Sequence, residues 1–258
     1  MIPPARLAND DELVVDRART AADVRRIRRE VEGRLWAASH GIPTAEIVAK
    51  DDDDRWLVSR RVLDEPGEPA AYVCAAFEMS ARIQALPHPR FLTAATTWRA
   101  PRLGLPLRLS RMARAGIDPR DVVAARRAFE ELPATATVHN DYHRQNVLNT
   151  ASVGHVTVID WEYATIGPRH QDAVRLIVDI ADHGAAHEAW RTLVDLALAA
   201  DRPALATILR WMTIRTYCSE VAVSRRVLDP AKCAHRRERW LQARLWADEL
   251  ARPAGESR

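Results

Sequence analysis

Apolar and polar residues alternate along this chain in two rhythms, a period of two and a period near 3.6, and each predicts an element. Residues 12–18 (ELVVDRA) read as a short strand, and Thr20-Ala21-Ala22-Asp23 comes close to a capping box opening a helix that runs to about Ser39. Gly41-Ile42-Pro43 stops that helix, and IVA (47–49) and RWLVSRRV (55–62) then bracket the acidic turn Asp51–Asp54 as a hairpin. From Pro69 to Leu86 the period is helical, with Tyr72, Ala76, Met79, Ile83 and Leu86 on one face. Pro87, Pro89 and a polar run to about Pro106 predict a connector; Asp118-Pro119 then caps a helix that Pro133 ends. Helices are expected at roughly 170–183, 185–200, 203–225 and 230–251, with a frayed tail at 252–258.

Between the helical halves lies VHNDYHRQNVLNTASVGHVTVID, residues 138–160. An apolar approach turns polar at His139, Asn140 and Asp141; Asn146 follows five residues after Asp141; and the β-branched run Val156–Ile159 ends in Asp160. That pattern predicts a strand end, a loop bearing a carboxylate and an amide, a hairpin, and a second strand end bearing a carboxylate. Phosphoryl transfer needs such a set: one carboxylate to orient the attacking hydroxyl and accept its proton, an amide oxygen and a second carboxylate to hold Mg²⁺ against nucleotide phosphates. Asp141 is the expected catalytic base, and Asn146 and Asp160 are the expected metal ligands. A carboxylate ending a Val/Ile-rich strand is costly unless something compensates it.

The H-N-D-Y-H-R-Q-N run followed by I-D-W-E resembles the catalytic core of the aminoglycoside phosphotransferase and choline-kinase-like family, distant relatives of the protein kinases. A Gly-containing turn (Ala164 to Pro168) and an Asp opening a helix (Asp172) complete the pattern. The resemblance is continuous from His139 to about Leu176 and weaker over most of the chain. It implies an α+β, two-lobed, protein-kinase-like fold: a small truncated β-rich N-lobe over residues 1–64, and a larger, mostly helical C-lobe over 65–258 with catalytic loop 138–162. It implies ATP or GTP with Mg²⁺, and a small-molecule or peptide acceptor for the phosphoryl group. His139 and Asp172 are expected to brace the catalytic loop, and His143 either touches substrate or phosphate or is an exposed loop histidine. On the nucleotide side the implied residues are Glu30, Arg17, Arg61 and Leu63, with residues 62–67 as the hinge; Trp161 is expected to cover the metal loop.

Two departures stand against this pattern. The first glycine is Gly33, inside a predicted helix, so the Gly-rich hairpin that would cover phosphates is missing. Where a strand lysine is expected stands Asp16; Arg17 is basic, but strand alternation aims it at the opposite face. A carboxylate there repels a nucleotide. The N-lobe is then degenerate, or begins upstream, or is completed by a partner protein. Alternatives therefore stay open: a pseudokinase-like binding module, or a peptide Ser/Thr kinase subunit of a dehydratase complex. A zinc site built on His139 and His143 is a further alternative, though it requires a helix and a Glu where Asn140 stands.

Composition narrows the setting. Of 258 residues 47% are hydrophobic, enough for a substantial core, yet no run of about 18 apolar residues predicts a membrane span. Cys74, Cys218 and Cys233 are widely spaced and odd in number, which suggests reduced thiols and a cytoplasmic protein. The net charge of +3 is spread over mixed signs, and Arg236, Arg237, Arg239 and Arg244 read as the polar face of an amphipathic helix rather than as a nucleic-acid patch.

Overall fold

The computed structural model describes residues 12–65, 67–89, 91–92, 109–110, 112–113, 116–150, 155–223 and 230–251. The connector expected up to Pro106 and the expected tail at 252–258 lie mostly or wholly outside them, as does Asp229, expected to cap the last helix. The described residues form two compact units: one drawn from Met1–Thr93 and Ala136–Ile166, the other from Ala94–Thr135 and Gly167–Arg258. The architecture is α+β, but the division is not the expected one at residue 64. The catalytic segment belongs with the N-terminal elements because long-range backbone bonds tie it there: Val158 N–H donates to the Pro43 carbonyl at 3.0 Å, and Glu65 N–H to the Asn149 carbonyl at 2.9 Å.

In the first unit, β1 (Leu13–Arg17), α1 (Ala21–Ser39), β2 (Ile47–Lys50) and β3 (Trp56–Arg60) follow the order that the periodicity predicts. The antiparallel sheet runs β1-β3-β2, with a bulge between Ile47 and Ala49. Helix α1 starts on a complete capping box: Thr20 Oγ1 accepts from Asp23 N–H at 3.2 Å, and Asp23 Oδ2 accepts from Thr20 N–H at 2.9 Å. Its buried face carries Ile27 and Val31, which cluster with Leu57, and it also buries Glu30, Gly33, Arg34 and Ala37. Helix α2 (Pro69–Ala85) buries Ala76, Met79 and Ile83 as its spacing requires. Three-residue strands β4 (Ala136–Val138), β5 (Val147–Asn149), β6 (Val156–Val158) and β7 (Thr165–Gly167) form the pairs β4-β7 and β5-β6 around the catalytic loop.

The second unit is helical: α3 (Pro119–Glu130), α4 (Gln171–Asp179), α5 (His183–Leu196), α6 (Arg202–Val223) and α7 (Pro230–Ala251). Asp118 accepts from Arg120 N–H at 2.8 Å and Pro119 sits at N1, as the Asp-Pro pair predicts. Trp190, Trp211, Trp240 and Trp246 are all buried core residues. Arg239 corrects the reading of an exposed arginine face: it is 1% exposed and donates to the Ile180, Ala181 and Asp182 carbonyls of the turn between α4 and α5. No helix among the described residues is long and apolar enough to cross a membrane.

Candidate active site

Strand β4 is fully buried and delivers His139, Asn140 and Asp141 at its end. His139 is wholly buried, donates Nε2–H to the Ile159 carbonyl at 2.9 Å, and meets the Trp161 ring edge-on at 4.9 Å. Burial pushes its pKa down to about 4, so the ring is a neutral brace joining the loop to the end of β6. Asn140 and Asp160 both adopt left-handed backbone, with φ of 66° and 63°. Each costs roughly 1 kcal/mol, least for Asn and Asp, whose short side chains bond locally. Asn140 does so by donating Nδ2–H to the Tyr163 carbonyl at 3.2 Å. Buried Tyr142 anchors the loop to α2, its hydroxyl donating to the Ala76 carbonyl at 2.7 Å.

Asp141 sits between two neighbours. Asn146 donates Nδ2–H to the Asp141 carbonyl at 3.0 Å and lies 3.3 Å from its Oδ2, and His143 Nε2 lies 3.3 Å from the same oxygen. Gln145 N–H donates to His143 Nδ1 at 3.3 Å, and the other ring nitrogen, Nε2, faces Asp141. His143 is thus a half-buried partner of the carboxylate, not an exposed loop residue. The main chain places Asn146 beside the second carboxylate, because Ile159 N–H donates to the Asn146 carbonyl at 2.9 Å.

Asn146 and Asp160 line one cavity of about 260 Å³ in the first unit, whose walls include Asp16, Glu30, Arg34, Arg61 and Glu162. Burial and the Asp141 charge raise the pKa of Asp160, against the pull of Arg26 and Arg34. Burial and Asp160 raise Glu162 to about 7, with Arg26 3.3 Å away, so Glu162 is a cavity residue rather than a surface one. Hard oxygen donors suit Mg²⁺: Asn146 turns its Nδ2 toward Asp141, which leaves its Oδ1 and the Asp160 carboxylate for a cation. Among the described residues no three His, Cys, Asp or Glu are grouped to hold a metal, and a small protein donor set completed by water and phosphate oxygens is the kind Mg²⁺ accepts. The zinc alternative fails on geometry, since residues 139–143 are not helical and His139 Nε2 is committed to Ile159.

On the nucleotide side the placements are mixed. Glu30 and Arg61 line the cavity. Arg17 does not: β1 turns Val14 and Asp16 inward, so Arg17 lies exposed on the other face. Leu63 is 69% exposed and outside the cavity wall, whereas Val62 lines it. The expected hinge is tied to β5, with Asp64 accepting from Arg144 Nη1 at 2.7 Å and from Asn149 N–H at 3.0 Å. Asp172 is fully buried in the first turn of α4, in the second unit. Arg34 went unread in the sequence although its signal was present: helical spacing puts it on the face of Ile27, Glu30 and Ala37.

The catalytic-loop segment thus combines a carboxylate held by an amide and an imidazole with a second carboxylate just past the end of a neighbouring strand. The model of the phosphotransferase enzyme family matches residues 5–208, and the chain belongs to that family. A choline/ethanolamine kinase family protein from Mesorhizobium loti shares the fold, with a TM-score of 0.59 at 15% identity over 92% of this chain and 82% of that one. An aminoglycoside phosphotransferase from Alicyclobacillus acidocaldarius aligns with a TM-score of 0.59 at 16% identity, over 97% and 95% of the two chains. The amicoumacin kinase hAmiN, solved with AMP-PNP, Ca²⁺ and Ami, aligns at 0.54 and 14% identity over 92% and 81%. No curated protein matches the chain.

Proposed function

We propose that this chain is a Mg²⁺-dependent O-phosphotransferase that moves the γ-phosphoryl group of ATP to a hydroxyl of a small molecule. The observation that carries the reading is the convergence of Asp141, Asn146 and Asp160. Asn146 bonds Asp141 and lines the same cavity as Asp160. Asp141 aligns the acceptor hydroxyl and takes its proton, while His143 and Asn146 hold the carboxylate in place. Asn146 Oδ1 and Asp160 would hold the cation, which when bound would neutralise charge developing on the phosphate oxygens. The nucleotide analogue and divalent ion in the amicoumacin kinase support the cofactor pair, and the small acceptors named in the similar structures support the substrate class.

The test is transfer of labelled γ-phosphate from ATP to a panel of amino alcohols and amino sugars. Transfer to at least one acceptor is expected, with Asp141→Asn slowing it by roughly 10²–10⁴-fold. Nucleotide binding with no transfer to any hydroxyl leaves a binding module in its place.

A further inference from the structure

We infer that Arg34, on α1, is the cation that holds the nucleotide phosphates in this chain. The inference rests on the phosphotransferase reading and names a residue that the reading does not require. A cavity that takes a polyphosphate beside Asp160, Glu162 and Asp16 needs a positive charge aimed into it. Strand β1 supplies none, because its inward residues are Val14 and Asp16. The other arginines of the wall are engaged or exposed. Arg26 is about half exposed and paired with Glu162, Arg60 is paired with Glu46 at 2.9 Å and Glu12 at 3.5 Å, and Arg61 is exposed.

Arg34 differs from them in burial and in how it is held. It is 7% exposed and lines the cavity with Asn146 and Asp160. Its Nε donates to Glu30 one helical turn earlier, and its Nη1 donates to the Ser59 hydroxyl on β3. Nη2, with two N–H donors, makes no hydrogen bond among the described residues. A guanidinium pinned on two of its nitrogens presents the third in a fixed direction, so little side-chain entropy is lost when an anion arrives. Its positive charge acts on the Asp160 carboxylate, which places the guanidinium in the field of the proposed metal ligand. Glu30 is then the positioning residue: it is buried, its Oε2 has no hydrogen bond, and burial raises its pKa against the pull of Arg34. Burying this pair on a helix face otherwise made of Ile27, Val31 and Ala37 is costly for stability alone.

The experiment is titration calorimetry of Mg²⁺-ATP and, separately, of adenosine, on wild type, Arg34→Gln, Arg34→Lys and Asp160→Asn, with circular dichroism to confirm folding. Arg34→Gln is expected to weaken ATP at least tenfold and leave adenosine unchanged. Arg34→Lys keeps a charge but cannot hold Glu30, Ser59 and a phosphate together; it is expected to fall between wild type and Arg34→Gln. If Arg34→Gln does not fold, a several-fold loss for ATP alone in Arg34→Lys carries the inference. Wild-type ATP affinity in either folded Arg34 variant overturns it. If Asp160→Asn still abolishes binding in that case, the phosphotransferase reading stands without Arg34. Absence of Mg²⁺-ATP binding by the wild type overturns both.

Discussion

Gly33 lies in the interior of α1, where intrinsic propensity says that alanine is better by about 1 kcal/mol. The structure says the opposite. A Cβ built on Gly33 meets Trp161 Cβ at 2.6 Å and the Trp161 carbonyl oxygen at 3.2 Å, and neither is the far end of a flexible side chain. The indole cannot swing away to make room. Trp161 is 1% exposed, its Nε1–H donates to the Val158 carbonyl at 3.0 Å, and its ring meets His139 edge-on at 4.9 Å. Either α1 or the turn Trp161–Tyr163 must therefore move, by roughly 1 Å to restore ordinary contact, and overpacking of this kind costs about 1–3 kcal/mol. Set against the propensity gain, Gly33→Ala is expected to lose ~1 kcal/mol, so the two arguments differ by ~2 kcal/mol and in sign. Trp161 directly follows Asp160, so the same displacement shifts the carboxylate relative to Asn146, and misplacement by ~1 Å costs as much as 10²-fold in rate. Urea denaturation measures the first effect through the midpoint at constant slope. A midpoint that rises in Gly33→Ala refutes the close approach of α1 to the turn.

Two further outcomes follow from the catalytic loop. Tyr142→Phe removes the hydroxyl that donates to the buried Ala76 carbonyl, and is expected to destabilise by about 1–3 kcal/mol; an unchanged denaturation midpoint contradicts the anchor. His139 stays neutral in the fold with its pKa near 4, whereas the unfolded chain takes a proton near 6.5. The folded value lies below the unfolded one, so this stabilisation is present above about pH 6.5 and is lost as pH falls toward about 4, with a ceiling of ~3 kcal/mol. Glu162, raised to about 7, acts in the opposite sense, so the readout is the difference between wild type and His139→Gln. The variant is expected to flatten the slope between pH 6.5 and 4, and identical slopes contradict a buried neutral ring.

Much of this was legible because the chain obeys simple periods. The order strand, helix, hairpin, the Thr20–Asp23 cap and the Asp118-Pro119 start are each set by residues within a few positions of one another. The proximity of the three polar residues was legible for the same reason, as Asp141 and Asn146 share one loop and Asp160 follows the next strand but one by two residues. What was not legible depends on contacts between distant residues. The catalytic segment joins the N-terminal elements through bonds such as Val158 to Pro43, which no local pattern announces. The left-handed backbone at Asn140 and Asp160 is set by what the loop must reach, and Asn and Asp merely permit it. Charged residues are read as solvated by default, which hid Arg34 on the buried face of α1 and Arg239 against the end of α4. Leu63 was placed by likeness to a hinge, which marks a stretch of backbone but not the side chain that faces the cavity; its neighbour Val62 takes the cavity wall.

The central claim is that one amide and one carboxylate share a divalent ion beside a third group that handles the acceptor proton. Mn²⁺ reports on such a site directly, since its free form gives a sharp electron paramagnetic resonance signal that binding suppresses. Titration of the wild type with Mn²⁺ in the presence of ATP is expected to deplete that signal well beyond what ATP alone does. Asp160→Ala is expected to abolish the difference. Equal depletion by wild type and Asp160→Ala, or none by either, contradicts the account.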